Sequence, residues 1–249
     1  MINTIPQSGR DTNEKTDMEL KDDVLAELKY EPIVKVTDIG VLVKNGTVTL
    51  NGYVSSYVEK LEAVQAVKRI AGVKAIADDI EIQLPKSYHR TDGDIAAAAT
   101  NQINWATLIP PGTVRVTVRE GWITLEGEVE EWHQKTLAAT VVRHLLGVKG
   151  VTNRLSLSKP LKINIEPPVK PVEVEKAIKS AFKRSAVVDA NKIRVETSGG
   201  NVELSGNVRN LAEREEAERA AWAAPGVFSV DNQLTVKWFQ FSPAIPNSN

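Results

Sequence analysis

Apolar and polar positions alternate in three stretches that overlay one another. They read IGVLVKNGTVTLNGYV from Ile39, VRVTVREGWITLEGEV from Val114 and IRVETSGGNVELSGNV from Ile193. Period-two alternation interrupted by a glycine-bearing turn predicts a β-hairpin in each. Ile39, Val41 and Val43 share one strand face, matched by Val114, Val116 and Val118 and by Ile193 and Val195. Val48 with Leu50, Ile123 with Leu125, and Val202 with Leu204 supply the second strand. Ahead of each hairpin the apolar spacing lengthens to three and four residues: Val24, Leu25 and Leu28, then Ile95, Ala99 and Ile103, then Val174, Ile178 and Phe182. That spacing predicts an amphipathic helix. Behind each hairpin a second helix of about 15 residues is predicted. Ser56 with Glu59 and Asn210 with Glu213 open it at capping-box spacing, whereas the second copy offers Glu131, a weaker cap. A last strand follows in GVKAIADDIEI, GVKGVTNRLSL and GVFSVDNQLTV.

Three glycines recur in register with this pattern: Gly46, Gly52 and Gly72; Gly121, Gly127 and Gly147; Gly200, Gly206 and Gly226. The gaps are 6 and 20 residues in every copy, and the copies are offset by 75 and 79 residues. The first glycine of each set is expected at positive φ in the hairpin turn. The third is expected to end the second helix as a left-handed C′ residue, with Pro225 stopping the third copy's helix earlier. The fold class is therefore α+β: three tandem αββαβ modules, each with two helices packed on one face of a three-stranded mixed sheet. The modules fall at 18–84, 91–157 and 171–238, with a flexible tail at 1–17, a Pro-rich linker at 158–170 and an aromatic tail at 239–249. The short stretch 85–90 predicts that the first two modules are neighbours. The prolines of the second connection predict a stiff, extended segment, within which Lys162–Ile165 alternates like a strand.

These residues resemble the BON (bacterial OsmY and nodulation) domain family. The resemblance rests on the hairpin glycines, the Val-x-Leu-x-Gly-x-Val stretch at 48–54, 123–129 and 202–208, and the Gly-Val-x-x-Val-x-Asn-x-Leu ending at 147–155 and 226–234. Asp78 departs from that ending where the other copies carry Asn153 and Asn232. The resemblance implies an envelope or osmotic-stress setting, pores and channels among the relatives, and phospholipid or protein partners.

Candidate chemistry is sparse. The chain has no cysteine, so thiolate catalysis, disulfides and Cys-ligated metals are excluded. The histidines are His89, His133 and His144, and the last two, eleven residues apart on one helix, lack metal-ligand spacing. Asp78 and Asp79 are adjacent on a strand and point to opposite faces, so they do not form an acid–base pair. No phosphate loop, dinucleotide fingerprint or nucleophile elbow is present. Gly147-Val148-Lys149-Gly150 matches the GxxG of KH domains in form only. Net charge is −1 overall, and about −3, −1 and 0 across the three modules, so no basic stripe marks a nucleic-acid partner. No enzyme activity, metal or cofactor is expected. Neither an apolar leader nor a membrane-length apolar run is evident, which predicts a cytoplasmic protein; the family resemblance favours periplasm or cell envelope instead.

The tryptophans carry more information. Trp105, Trp122, Trp132, Trp222 and Trp238 all lie in the second and third modules. Trp122 follows the hairpin glycine and is expected at the surface; Trp132 follows the helix cap, where packing or a staple is expected. Trp238, Phe239 and Phe241 run beyond the last strand. Trp122, Trp132, Trp222, Trp238, Phe239 and Phe241 are the candidate interface, because exposed aromatics favour interfaces and each small sheet leaves two edges unpaired. The expectation is a non-enzymatic binding and assembly protein that forms homo-oligomers and serves envelope or stress functions. Two alternatives are a phospholipid-surface binder and an oligomer that encloses a path for small solutes.

Overall fold

The computed structural model describes residues 15–158 and 170–237. Module 1 comprises α1 (Asp17–Tyr30), β1 (Ile39–Lys44), β2 (Thr47–Val54), α2 (Tyr57–Arg69) and β3 (Ala75–Ile82). Module 2 repeats the order with α3 (Asp92–Trp105), β4 (Val114–Arg119), β5 (Trp122–Val129), α4 (Trp132–Val142) and β6 (Gly150–Leu157). Module 3 has α5 (Pro171–Arg184), β7 (Ile193–Ser198), β8 (Asn201–Val208), α6 (Leu211–Trp222) and β9 (Ser229–Val236). In each sheet the middle strand runs antiparallel to the first and parallel to the third. The α+β fold read from the sequence is thus present three times. Within the tail read as 1–17, α1 already starts at Asp17, because Thr16 and Glu19 form a capping box. Residues 159–169, with the Lys162–Ile165 stretch, lie outside the described residues, as do Trp238, Phe239 and Phe241.

Each module has its own core. In module 1, Val48, Leu50 and Val54 of β2 pack under Leu20, Val24 and Leu28 of α1 and Ala63, Ala66 and Val67 of α2. The alanines let the second helix lie close to the sheet, and Ala138 and Ala217 repeat the device. The middle glycine of each set fits the same close-packing logic. A Cβ at Gly52, Gly127 or Gly206 would lie 2.1, 2.0 or 2.2 Å from the carbonyl oxygen of Asp38, Thr113 or Lys192, so no side chain fits.

Two glycine expectations need correction. Gly46 and Gly121 do turn at positive φ, after Asn45 and Glu120, but in module 3 the positive φ belongs to Gly199 and not to Gly200. Positive φ at the first central residue alone is the type II′ pattern, which the Gly199-Gly200 pair permits. Gly200 is constrained by crowding, since a Cβ there would come 2.3 Å from the Gly226 oxygen. Helices α2 and α4 also end earlier than expected, at 13 and 11 residues, whereas α6, 12 residues long, stops at Trp222 ahead of Pro225 as expected. Gly72, Gly147 and Gly226 therefore lie three, five and four residues past the helix ends and are not C′ residues. Their positive φ, 96°, 89° and 83°, turns the chain into the last strand beside the hairpin tip.

The modules also touch. Gly72 N–H donates to the Arg209 carbonyl at 3.1 Å, and the Asn210 amide donates to the Arg69 carbonyl at 2.8 Å. Leu211 packs on the core of module 1, and Tyr57 packs on the core of module 2.

Candidate binding surfaces

The first turn of each second helix is held by a buried N3 side chain. Glu59 is 3% exposed and accepts the backbone N–H groups of Ser55 at 2.8 Å and Lys35 at 3.1 Å. Glu213 is 1% exposed and accepts from Arg209 N at 2.7 Å and Asp189 N at 2.8 Å. In module 2 one oxygen of Gln134 accepts from Glu130 N at 3.0 Å and Glu131 N at 3.2 Å, so this helix is capped from N3 although Glu131 is a weak cap. These acids brace the helix starts, with their oxygens occupied by fixed donors. Among the described residues no group of three or more His, Cys, Asp or Glu is placed to hold a metal ion.

The fixed helix start sets Trp132 at the boundary between modules 2 and 3. A cleft of about 760 Å³ opens there, lined on one side by Trp132, His133 and Leu157 and on the other by Trp222, Val227 and Phe228. Arg219 also borders it, but its guanidinium grips Glu216 through two bonds of 2.6 and 2.7 Å. That bond holds the Glu216 carboxyl below its ordinary value and raises Arg219. A cation already neutralised in this way does not make the cleft an anion site. The cleft combines aromatic and apolar side chains with Glu130, Glu131 and His133.

Trp122 lies elsewhere, on the solvent-facing side of the module 2 sheet, and is 49% exposed. Its ring covers Gly150 on the adjoining strand, where a Cβ would approach the ring to 2.5 Å. Its indole N–H donates to the Thr152 hydroxyl at 2.7 Å, so the ring is exposed yet fixed. Arg119 and Lys149 flank it around a recess of about 360 Å³ shared with Ile80 and Ile82 of module 1.

The structure thus brings Trp132 and Trp222 together and sets Trp122 apart. Phe228, 44% exposed, was not singled out from the sequence. Its signal is plain in retrospect: it stands where the other copies carry Lys74 and Lys149. Asp17 and Asp92 were also missed. Each opens its module's first helix and accepts both N–H groups of the hairpin turn, Asn45 and Gly46 or Glu120 and Gly121.

The family model of the BON domain matches residues 16–83, 91–159 and 172–237. The chain is similar to the Osmotically-inducible protein Y of Escherichia coli (strain K12), 32% identical over 128 residues. That match covers 49% of this chain and 63% of the relative, so less than two thirds of the relative's length is spanned. Among solved structures, the C-terminal domain of CdsD, titled the structural protein of the Type III secretion system of Chlamydia trachomatis, is 14% identical. It aligns over 90% of this chain and 100% of its own, with a TM-score of 0.24. A second CdsD structure from the same organism is 16% identical over 87% and 91% of the two chains, with a TM-score of 0.23.

Proposed function

The chain belongs to the BON domain family, and from that premise we propose that it is a non-enzymatic binding and assembly protein that self-associates and acts in osmotic stress at the bacterial envelope. The observation that supports this most directly is Trp122. A large ring already fixed by Thr152 and Gly150 loses little side-chain freedom when a partner covers it, which is what favours aromatic anchors in interfaces. A second copy of the chain is the partner proposed. A net charge of −1 opposes association between copies only weakly, and among the described residues the outer strands of each sheet have one unpaired side. Light scattering over a concentration series tests it. A multiple of the monomer mass is expected, falling toward monomer in Trp122→Ser; a monomer at every concentration refutes self-association.

A second reading draws on the neighbours of Trp122. Arg115, Thr117 and Arg119 share its sheet face, as the pairing of Arg119 with Trp122 and of Thr117 with Thr124 requires, and Lys149 lies beside it. An aromatic ring with Arg119 and Lys149 beside it suits an anionic lipid surface, with Glu81 and Glu120 in the same recess and Glu126 opposite Arg115 offsetting part of that charge. Flotation with vesicles containing phosphatidylglycerol is expected to fail in Trp122→Ser and to weaken with salt; salt-insensitive flotation that survives the substitution counts against this reading. No helix among the described residues is long and apolar enough to cross a membrane.

A further inference from the structure

We infer that the three modules close into a ring of pseudo-three-fold symmetry, in which the first residue of each second helix docks on the next module and module 3 docks on module 1. Tyr57, Trp132 and Leu211 open α2, α4 and α6 and are one position of the repeat. Tyr57 of module 1 packs on the core of module 2. Trp132 of module 2 faces Trp222, at the end of α6, across the cleft to module 3. Leu211 of module 3 packs on the core of module 1. The direction is the same at all three junctions, so the third returns to the first.

Among the described residues, the returning junction carries direct backbone and side-chain bonds. A helix leaves its last carbonyls without intrahelical partners. The carbonyl of Arg69, the last residue of α2, receives the Asn210 amide, and the Gly72 N–H reaches the Arg209 carbonyl. Lys68 adds an ion pair with Glu215 at 2.6 Å. The equivalents of Arg209 and Gly72 at the junction of modules 2 and 3 are Glu130 and Gly226, and both line the cleft there. That junction is a looser form of the same joint. A depression of about 450 Å³ bordered by Gln65 of α2, Trp132 of α4, and Ala212 and Arg219 of α6 marks where the three modules meet.

This ring lies within one chain, so a strictly monomeric protein leaves it intact while refuting the self-association above. Because the chain has no cysteine, Lys68→Cys with Glu215→Cys installs the only two thiols at two side chains that already meet. Treating the full-length double variant with a short bis-maleimide is expected to give an internally linked monomer. Adding Leu211→Asp, which sets a carboxylate against an apolar core, should lower that yield by about tenfold or more while circular dichroism stays unchanged. Links formed only between copies, or no link at all, overturn the ring. As a second measurement independent of any interface variant, an engineered protease site between residues 159 and 169 is cut in the folded chain. Co-elution of the two pieces is expected, and their separation overturns the inference.

Discussion

Replacing Glu59 separates the cap's two functions, as an acceptor and as a side chain of a given shape. Its Oε2 takes the Ser55 N–H and hydroxyl, and its Oε1 takes the Lys35 N–H from 24 residues away. Glu59→Ala strips both backbone donors, and a donor left without a partner in a buried site costs roughly 1–3 kcal/mol. The expected loss is then near 4 kcal/mol, which is a large part of the roughly 3–10 kcal/mol that a module of this size possesses. Glu59→Gln retains one oxygen. Module 2 shows that a single Gln134 oxygen serves two N–H groups at the loop-to-helix corner, but it bonds nothing equivalent to Lys35. The Gln variant should therefore lose one donor's partner, about 1–3 kcal/mol. Tryptophan fluorescence does not report on module 1, whose residues include no tryptophan, so hydrogen exchange read by mass spectrometry on β1 and β2 is the suitable assay. Protection should fall about a thousandfold for Ala and about ten- to a hundredfold for Gln. Equal losses for the two variants, or an Ala loss below tenfold, would refute the reasoning that acceptor atoms are what this site supplies.

Gly127→Ala should destabilise module 2 by about 3 kcal/mol or more, because its Cβ would lie 2.0 Å from the Thr113 oxygen at a φ of +136°. Gly93→Ala, in α3 with the nearest atom at 3.8 Å, should stabilise by up to about 1 kcal/mol, and urea unfolding followed by tryptophan fluorescence distinguishes them. Asp17 carries a pH test. The N–H groups of Asn45 and Gly46 hold its carboxyl below the ordinary value of 3.8. A depressed folded value means its stabilisation is present above about pH 4 and disappears as pH falls through the lower folded value. Asp17→Asn should thus loosen the Gly46 amide at pH 7, and its difference from the parent should shrink as the pH falls below about 4, as NMR exchange rates can show.

Local patterns carried most of the fold. Alternation located the hairpins, and three-four spacing located helices whose buried positions, Val24 and Leu28 or Ile95 and Ile103, lie on the face the spacing predicts. The glycine triplets were visible as a repeat, and so was the turn role of Gly46 and Gly121, but the roles of Gly200 and of the second and third glycines were not, because they depend on what the backbone approaches in space. Gly52 is pressed against Asp38, and Gly200 against Gly226, and neither contact leaves a trace in local spacing. The ends of α2 and α4 were read too late for the same reason: the third glycine turns the chain back toward the hairpin tip and does not end the helix. At the surfaces, the meeting of Trp132 with Trp222 joins residues of different modules, which no periodicity predicts.

What the repeat does offer is a way to separate folding constraints from surface choices, since positions that the backbone dictates must recur in every copy. Where a copy departs inside the fold, a neighbour compensates. Asn153 donates its amide to the Lys135 carbonyl at 2.6 Å, and Asn232 reaches the Arg214 carbonyl. Asp78 has no such donor, and there Lys60, the residue aligned with Lys135 and Arg214, turns to bind Asp78 at 3.2 Å and the Ile80 carbonyl at 2.7 Å. At Trp122 and Phe228 a neighbour also makes room, since Gly150 lies under Trp122 where the sister copies pair Thr47 with Ala75 and Asn201 with Ser229, and Gly200 lies under Phe228, yet both rings stay 49% and 44% exposed. An exposed aromatic ring that the fold manages without in its sister copies is where contacts with other molecules are best sought.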